Sequence, residues 1–333
     1  MKRKFIAILA IIIVCALLMP SCAPYEDLFA SSGKSFCLGF GECEIALPND
    51  TNDPLYIAGY KNGYEIEGVL DIPVAKAVWI DTGEGGVLLI GIDCVGIGSG
   101  TVEAIRRELS GFCRKADCVS VNVYATHTHA GIDTLGLWGD VAIDDKNSDY
   151  MKNLISAAVD AAMSAYEDRS LGRLYYGSAE PKSLLYDSRE PIEYDPTLYQ
   201  IRFASDDASK NGIRLLSYAA HAESLRGDNL LLSADFPGAL ADKIKSASGD
   251  DVMFMPSAIG GLIMTRELVA PFDAVQNMEE TAERLALSAL SINGEVELEP
   301  SLAISTVSLD IPLDNTYFFF GKFLGILDNK TKR

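Results

Sequence analysis

Hydrophobic and polar residues along the chain alternate in short runs that predict strands, and apolar residues at helical spacing between these runs predict helices. The clearest hairpin has arms over residues 76–81 and 87–94, with a turn over residues 82–86. Its second arm is apolar on both faces, which is typical of a strand buried between two layers. Another strand, over residues 119–124, alternates valine with polar residues and leads directly into a pair of histidines.

The rest of the pattern alternates strands with helices. A helix is predicted over residues 99–112, where Ser99 and Thr101 offer N-cap hydroxyls, and another over residues 149–166, where Ser148 can cap the first turn. Further strands are predicted at residues 173–178, 198–204, 213–220, 252–255 and 302–311, and further helices at residues 237–246 and 279–290. Because hairpins interrupt the alternation, we expect an α/β fold with mixed β-sheets flanked by helices.

The N-terminus has the pattern of an export signal. Lys2, Arg3 and Lys4 precede an apolar run over residues 5–19, which is shorter than the ~20 residues of a bilayer-spanning helix. The run ends in Ser21-Cys22, which resembles a bacterial lipobox. We therefore predict a lipoprotein-type signal peptide at 1–22, a tether at 23–35 and one domain at 36–333. This predicts an exported cell-envelope lipoprotein, in the periplasm or on the cell surface, held at the membrane by an N-terminal lipid anchor. Simple cleavage and secretion is the alternative.

Charge and cysteine usage exclude several classes of protein. The net charge of −19 disfavours nucleic acid and anionic lipid headgroups as partners. No Cys-x-x-Cys pair occurs, which argues against a structural zinc site built from cysteines. Cys113 with Cys118, and Cys37 with Cys43, are local candidates for disulfides in an oxidising compartment.

The chain contains only three histidines, and all three follow predicted strands. His127 and His129 come after the strand at 119–124, and a continued extended conformation would point both to the same side. His221 follows the strand at 213–220, at the kind of strand end where open α/β sheets bind ligands. Because imidazole is the commonest metal-ligand side chain, this distribution predicts a metal site. Hydrogen-bonded histidines near turns are the alternative.

Residues 126–131 read Thr-His-Thr-His-Ala-Gly. This segment resembles Thr-His-Thr-His-Ser-Gly, the signature of the neutral/alkaline ceramidase family, specifically of its N-terminal catalytic domain. Residues 220–224 and 233–238 are similar to the family's second histidine segment, and Ser188-Arg189-Glu190-Pro191 is similar to its Arg-x-Pro segment. Gly41 to Pro48 and Gly59-Tyr60 match N-terminal landmarks, so the resemblance covers roughly residues 39–265.

The resemblance implies a zinc-dependent hydrolase of an amide bond, acting on N-acylsphingosine, a related N-acyl lipid or another amide-containing small molecule. It implies Zn²⁺ ligation by His127 and His221, together with a glutamate and a tyrosine. It also implies that His129 contacts the bound water or substrate and transfers a proton, and that Arg189 contacts the substrate or the transition state. Zinc lowers the pKa of a bound water toward ~7, which suits amide hydrolysis near neutrality.

The chain departs from the family pattern in two places. The family's glutamate and tyrosine ligands lie beyond residue 333, so we expect the domain to be C-terminally incomplete. Glu223 and Asp235 are candidates for a substitute ligand. The alternatives are a surface ion pair for Glu223 and a cap of the following helix for Asp235. The family's Gly-Asp-x-Ser segment corresponds to residues 260–263, which contain no serine.

Other functions are weighed against this hydrolase. The main alternative is a non-catalytic or truncated exported lipoprotein that keeps the ceramidase-like fold for ligand binding. A metallo-β-lactamase would need Asp-His shortly after His129, where the chain has Gly131-Ile132. A serine hydrolase of the α/β type would need a Gly-x-Ser-x-Gly elbow, which the sequence lacks.

Overall fold

The computed structural model describes residues 26–48, 54–139, 146–260, 262–306 and 316–324. The predicted signal peptide at 1–22 lies outside these ranges. The described strands are β1 (Glu26–Ser32), β2 (Phe36–Glu44), β3 (Gly68–Val69), β4 (Val74–Asp81), β5 (Gly86–Ile92), β6 (Cys118–Ala125), β7 (Ser170–Ala179), β8 (Leu185–Asp187), β9 (Leu198–Ser205), β10 (Ile213–Tyr218), β11 (Leu231–Leu232), β12 (Asp251–Pro256), β13 (Ile263–Thr265), β14 (Val296–Glu297) and β15 (Ser301–Thr306). The described helices are α1 (Ser99–Ala116), α2 (Ser148–Glu167), α3 (Phe236–Ser248), α4 (Ala274–Leu290) and α5 (Thr316–Phe323).

The described residues divide into two units. The smaller unit comprises residues 26–30 and 303–306, which belong to β1 and β15, and these two strands pair in a two-stranded sheet. Strand β1 lies within the segment predicted as a tether. The larger unit comprises the other described residues and contains all three histidines.

The larger unit is built on a nine-stranded mixed sheet. Its strand order is β12-β10-β9-β7-β2-β4-β5-β6, and β14 pairs with β7. The β5–β6 and β10–β12 pairs are parallel, whereas the predicted hairpin β4–β5 and the remaining pairs are antiparallel. The predicted α/β fold with mixed sheets and flanking helices is therefore confirmed.

The sheet curls so that its two ends meet. Strands β6 and β12 stand at opposite ends of the strand order, yet the Tyr124 hydroxyl on β6 donates a 3.0 Å hydrogen bond to the Phe254 carbonyl on β12. The inside of the curl is filled by buried apolar side chains from β2, β4, β7, β9, β10 and β12, namely Phe36, Leu38, Val78, Leu174, Phe203, Ile213, Leu215 and Met253. The curl brings the C-terminal ends of β6 and β10, and hence their histidines, to one side of the molecule.

Helices cover the outer faces of the curled sheet. Helices α1 and α2 pack on β4 and β5, and the alanine-rich face of α2 also lies directly on β2. A Cβ added at Gly41 of β2 would stand 2.1 Å from the Ala161 carbonyl oxygen of α2, so the strand must lack a side chain there. Helices α3 and α4 cover β10 and β12 through a second apolar cluster that includes Leu216, Phe236 and Phe254.

Several details of the predicted elements need correction. Helix α2 is capped by Asn147, whose Oδ1 accepts from the backbone N–H groups of Asp149 and Tyr150, so the Ser148 cap was wrong. Helix α1 begins after Gly98, which offers no capping side chain, so a hydroxyl cap from Ser99 or Thr101 was also wrong.

Three further findings concern the strand β15, the cysteines and the length and polarity of the helices. The predicted strand at 302–311 is described up to Thr306 as β15, and its remainder lies outside the described ranges. The five described cysteines carry free thiols, so the candidate disulfides Cys113–Cys118 and Cys37–Cys43 are not formed. Within the described ranges, no helix is both long and apolar enough to cross a membrane.

Candidate metal centre

The first pair of histidines follows β6 in a left-handed turn. Strand β6 ends at Ala125, and His127 has a φ of +65°, so the extended conformation does not continue through the pair. The prediction that a strand face orients both side chains was therefore wrong. His127 is held in this conformation because its backbone N–H donates to the Cys94 carbonyl at 3.0 Å. A non-glycine residue with positive φ costs on the order of 1–3 kcal/mol and is found preferentially at functional sites.

A buried carboxyl supports the turn from beneath. Thr126 donates through Oγ1 to Asp93 Oδ1 at 3.0 Å, and Asp93 Oδ2 accepts from the Val74 backbone N–H at 3.1 Å. Burial raises the pKa of Asp93 to about 6, although these hydrogen bonds and Lys76 oppose the shift. The turn that carries His127 is thus fixed to the ends of β4 and β5.

Three loops lie side by side at this end of the sheet. The His129 backbone N–H donates to the Ala222 carbonyl at 2.9 Å, and the His221 backbone N–H donates to the Ile263 carbonyl at 2.9 Å. The Ala58 backbone N–H donates to the Gly131 carbonyl at 3.0 Å from the other side. This layer places both histidine segments next to each other although 92 residues separate His129 from His221.

The three imidazole rings converge. The ring centroid of His127 lies 4.9 Å from that of His129 and 4.8 Å from that of His221, and the other two rings are 5.6 Å apart. One nitrogen from each ring can be chosen so that all three lie within 4.8 Å of one another. The structure therefore gathers every histidine of the chain into one cluster that could hold a metal ion.

Backbone carbonyls set the tautomers of two of these histidines. His127 Nδ1 lies 2.6 Å from the Val95 carbonyl oxygen, and His221 Nδ1 lies 2.8 Å from that of Ile263. Because a carbonyl oxygen can only accept, both Nδ1 atoms carry a proton, and the Nε2 lone pairs of both rings remain available. A metal-ligating histidine usually donates its other ring N–H in this way.

His129 completes the cluster. Its Nε2 is 3.3 Å from His127 Nε2, close to the ~3.3 Å between two nitrogens on a tetrahedral zinc with Zn–N bonds of ~2.0–2.1 Å. Burial lowers the pKa of His129 to about 3, and the neighbouring histidines add to the shift. Burial likewise lowers the pKa of His127. Both are therefore uncharged at neutral pH, the state that metal binding requires. The donor set fits a metal ion, and imidazoles suit zinc, copper, iron and nickel.

A buried acid and a tyrosine adjoin His129. Sequence reasoning weighed Glu223 as a substitute zinc ligand and named Tyr60 only as a family landmark, and Glu223 lies outside the cluster of three histidines that could hold a metal ion. Glu223 is 6% exposed, so its interpretation as a surface ion-pair residue was wrong. The Tyr60 hydroxyl donates to Glu223 Oε2 at 2.7 Å, and the same oxygen lies 3.7 Å from His129 Nδ1. Burial and the Glu223 carboxylate raise the pKa of Tyr60, so the phenol stays protonated and donates.

Asp235 has the structural role that was weighed for it. Its carboxylate caps α3 by accepting from the Phe236 backbone N–H at 2.6 Å. It also accepts from the backbone N–H groups of Ser224 and Leu225, each at 3.0 Å. Because these bonds engage both oxygens, Asp235 holds the loop that follows His221 and lies outside the histidine cluster.

Arg189 lies outside the histidine cluster, although its backbone is connected to the cluster through Asp187 and Ile263. It follows β8 by two residues, and its backbone N–H donates to Asp187 Oδ1 at 3.0 Å. Asp187 in turn pairs across β8–β13 with Ile263, the residue whose carbonyl holds His221. The Arg189 side chain is exposed. The serine-free segment at 260–263 therefore contributes to the site through the Ile263 carbonyl.

Comparison with known proteins shows the fold. No family model matches the sequence, and no curated protein does. The solved structure of neutral ceramidase from Pseudomonas aeruginosa matches with a TM-score of 0.66 and 18% identity, over 80% of this chain and 45% of that one. A ceramidase complexed with C2 matches with a TM-score of 0.66 and 19% identity, over 78% of this chain and 44% of that one. The predicted ceramidase-like fold is confirmed, and the chain spans less than half the length of these proteins.

Proposed function

We propose that this chain, which shares its fold with solved ceramidases, is a zinc-dependent hydrolase that cleaves the amide bond of N-acylsphingosine or a related N-acyl lipid. The observation that carries the proposal is the cluster of all three histidines at the strand ends of that fold. Two of the three present an Nε2 lone pair because backbone carbonyls hold their Nδ1 protons. Arrangements of this kind are typical of metal-binding histidines rather than of histidines that support a turn.

The proposed zinc ligands are His127 and His221. Their rings are pinned by Val95 and Ile263, so the site is organised before any ion arrives. A bound zinc ion supplies a water nucleophile near neutral pH and polarises a carbonyl oxygen. Because the backbone carbonyls already hold both rings with their Nε2 lone pairs unoccupied, zinc binding would need little reorganisation of the two ligands.

The proposed proton-transfer group is His129. Its Nε2 faces the same space as the two ligands and lies 3.3 Å from His127 Nε2. From there it can accept a proton from the attacking water and deliver it to the leaving amine. The proposed role of Arg189 is to bring its charge to the carbonyl oxygen as negative charge develops there. Its exposed side chain is free to move toward a bound substrate.

We also propose export and an N-terminal lipid anchor, supported by the basic, apolar and cysteine-terminated pattern of residues 1–22. An anchor would keep the enzyme next to membranes that contain N-acyl lipids. Metabolic labelling with a palmitate analogue tests the anchor, since Cys22→Ala should abolish the label. Labelling that persists in this variant would contradict it.

The hydrolase is tested with a fluorescent short-chain N-acylsphingosine and the full chain loaded with zinc. We expect release of the labelled fatty acid, loss of release on chelation, and recovery when zinc is restored. His127→Ala should abolish release, whereas Lys152→Ala, a substitution at an exposed residue of α2, should leave it unchanged. Stoichiometric binding of the substrate with no turnover at any zinc concentration would contradict the proposal and favour a non-catalytic binding lipoprotein.

A further inference from the structure

The Tyr60–Glu223 pair is the part of the site that the proposed mechanism does not use. The two side chains are joined by a 2.7 Å hydrogen bond from the phenol to Glu223 Oε2. Beside them, His129 Nδ1 is buried and has no hydrogen-bond partner in the described part of the chain. That nitrogen lies 3.7 Å from the same Glu223 oxygen. An unpartnered ring nitrogen next to a buried carboxylate indicates that His129 Nδ1 and Glu223 form a hydrogen bond during function.

Only two neutral tautomers are open to His129. With the proton on Nε2, the ring donates to His127 Nε2, but its bare Nδ1 then faces a carboxylate and the two acceptors repel. With the proton on Nδ1, the ring faces Glu223 as a donor, and a shift of less than about 1 Å closes the hydrogen bond. Hydrogen bonds to an ionised acceptor are roughly twice as strong as neutral ones. In this tautomer the Nε2 lone pairs of His129 and His127 face each other at 3.3 Å, but both rings are neutral, whereas the first tautomer sets a lone pair against a charged carboxylate. The second tautomer is therefore the favoured one.

The surroundings of Glu223 fix the carboxylate in this place. Arg226 donates to the Glu223 main-chain carbonyl at 3.1 Å and to the Thr265 carbonyl at 2.6 Å, which anchors the loop. The Tyr60 ring packs edge-on against the His129 ring with centroids 5.1 Å apart. The carboxylate is thus aimed at the imidazole from a rigid frame, and Tyr60 supplies both a hydrogen bond and a packing surface.

We propose that Glu223, held by Tyr60, is a positioning residue that sets His129 as the Nδ1–H tautomer and so presents its Nε2 lone pair to the histidine cluster. This inference rests on the proposed function, because it supplies the tautomer that His129 needs to accept a proton. It assigns Glu223 and Tyr60 to the site through the imidazole rather than through the metal or the substrate.

Nitrogen-15 NMR of the histidine side chains reads the tautomers directly, and three histidines make the spectrum simple to assign. In the metal-free wild-type protein we expect all three rings as Nδ1–H, with His127 and His221 as internal references. Glu223→Leu removes the acceptor and should switch His129 alone to Nε2–H. Glu223→Gln is the matched control, because its amide oxygen keeps an acceptor at the same place, and it should leave His129 as Nδ1–H.

Zinc affinity is the second readout. With its proton on Nε2, His129 would point that proton into the cluster, so Glu223→Leu should weaken zinc binding by about 10–100-fold, as is usual for loss of an outer hydrogen-bond partner. A His129 that is Nε2–H in the wild type, or a Glu223→Leu variant with unchanged tautomer and zinc affinity, would overturn the inference. The wild-type spectrum decides even if the leucine variant fails to fold. Because the tautomers are read without zinc, the two proposals are tested separately. The hydrolase activity can fail while this inference stands, and this inference can fail while the hydrolase activity is observed.

Discussion

Gly59 offers the sharpest test of where His129 lies. Its φ of +114° suits glycine and no L-residue, and a Cβ at this position would stand 2.6 Å from His129 Cγ and Nδ1. The substitution Gly59→Ala therefore strains the backbone and pushes directly on the imidazole. Gly63→Ala is the matched control, since Gly63 also has a positive φ, +76°, but a Cβ there meets nothing within 4 Å.

The two substitutions differ mainly in the clash. Placing an alanine at positive φ costs on the order of 1–3 kcal/mol, and forcing an extra methyl into a packed site adds about 1–3 kcal/mol. We expect Gly59→Ala to lower the free energy of unfolding by about 2–6 kcal/mol, and Gly63→Ala, which lacks the clash, by about 1–3 kcal/mol. Because the ring must move, Gly59→Ala should also weaken zinc binding by more than about tenfold.

Urea denaturation and a zinc competition titration measure both effects on the same samples. Equal unfolding free energies and equal zinc affinities for the two alanine variants would refute the packing of Gly59 on His129. Loss of stability in Gly59→Ala without loss of zinc affinity would leave the packing of Gly59 on His129 standing and would count against a zinc position next to the His129 ring.

Three other predictions follow from buried or exposed charges. Burial raises the pKa of Asp93 to about 6, above its usual ~3.9, so its contribution to stability is full below pH ~4 and is lost as the pH rises through ~6. In urea titrations, the free energy of unfolding of Asp93→Asn should rise by about 3 kcal/mol relative to that of the wild type as the pH increases from ~4 to ~7. Parallel pH profiles of the two proteins would contradict this. Asp235→Ala should lower the free energy of unfolding by about 2–4 kcal/mol, whereas Asp273→Ala, at the exposed cap of α4, should lower it by about 1 kcal/mol. Equal losses in the two variants would count against the loop-anchoring role of Asp235. Arg189→Ala should lower kcat about 10²-fold with zinc affinity unchanged, and a matching loss of zinc would argue against a substrate role.

Local patterns in the sequence were enough to predict most strands and helices but not their closure. The β4–β5 hairpin and helices α1 and α2 follow from apolar spacing over a few residues. The curl of the sheet depends instead on Tyr124 meeting Phe254, a pairing across 130 residues that no local pattern encodes. The cap prediction for α2 failed because the adjacent residues Asn147 and Ser148 can each cap a helix. The cap prediction for α1 failed because that helix begins after Gly98, which has no capping side chain.

The part of the site that is built from a rare residue type, histidine, could be predicted from the sequence. The part that is built from common groups could not. Three histidines in one chain drew attention to His127, His129 and His221, which the structure brings together. The carbonyls of Val95 and Ile263 have no signature, since every residue carries one. Glu223 resembled a surface acid because burial is not visible in sequence.

The central claim is that His127 and His221 hold zinc within the histidine cluster, and equilibrium zinc binding tests it most directly. Competition against a chromophoric chelator on the wild type and on His221→Ala gives both stoichiometry and affinity. We predict one zinc ion per wild-type chain and an affinity weakened by more than about 100-fold in the variant. A folded wild-type protein that binds no zinc, or a variant that binds it equally well, would contradict the account.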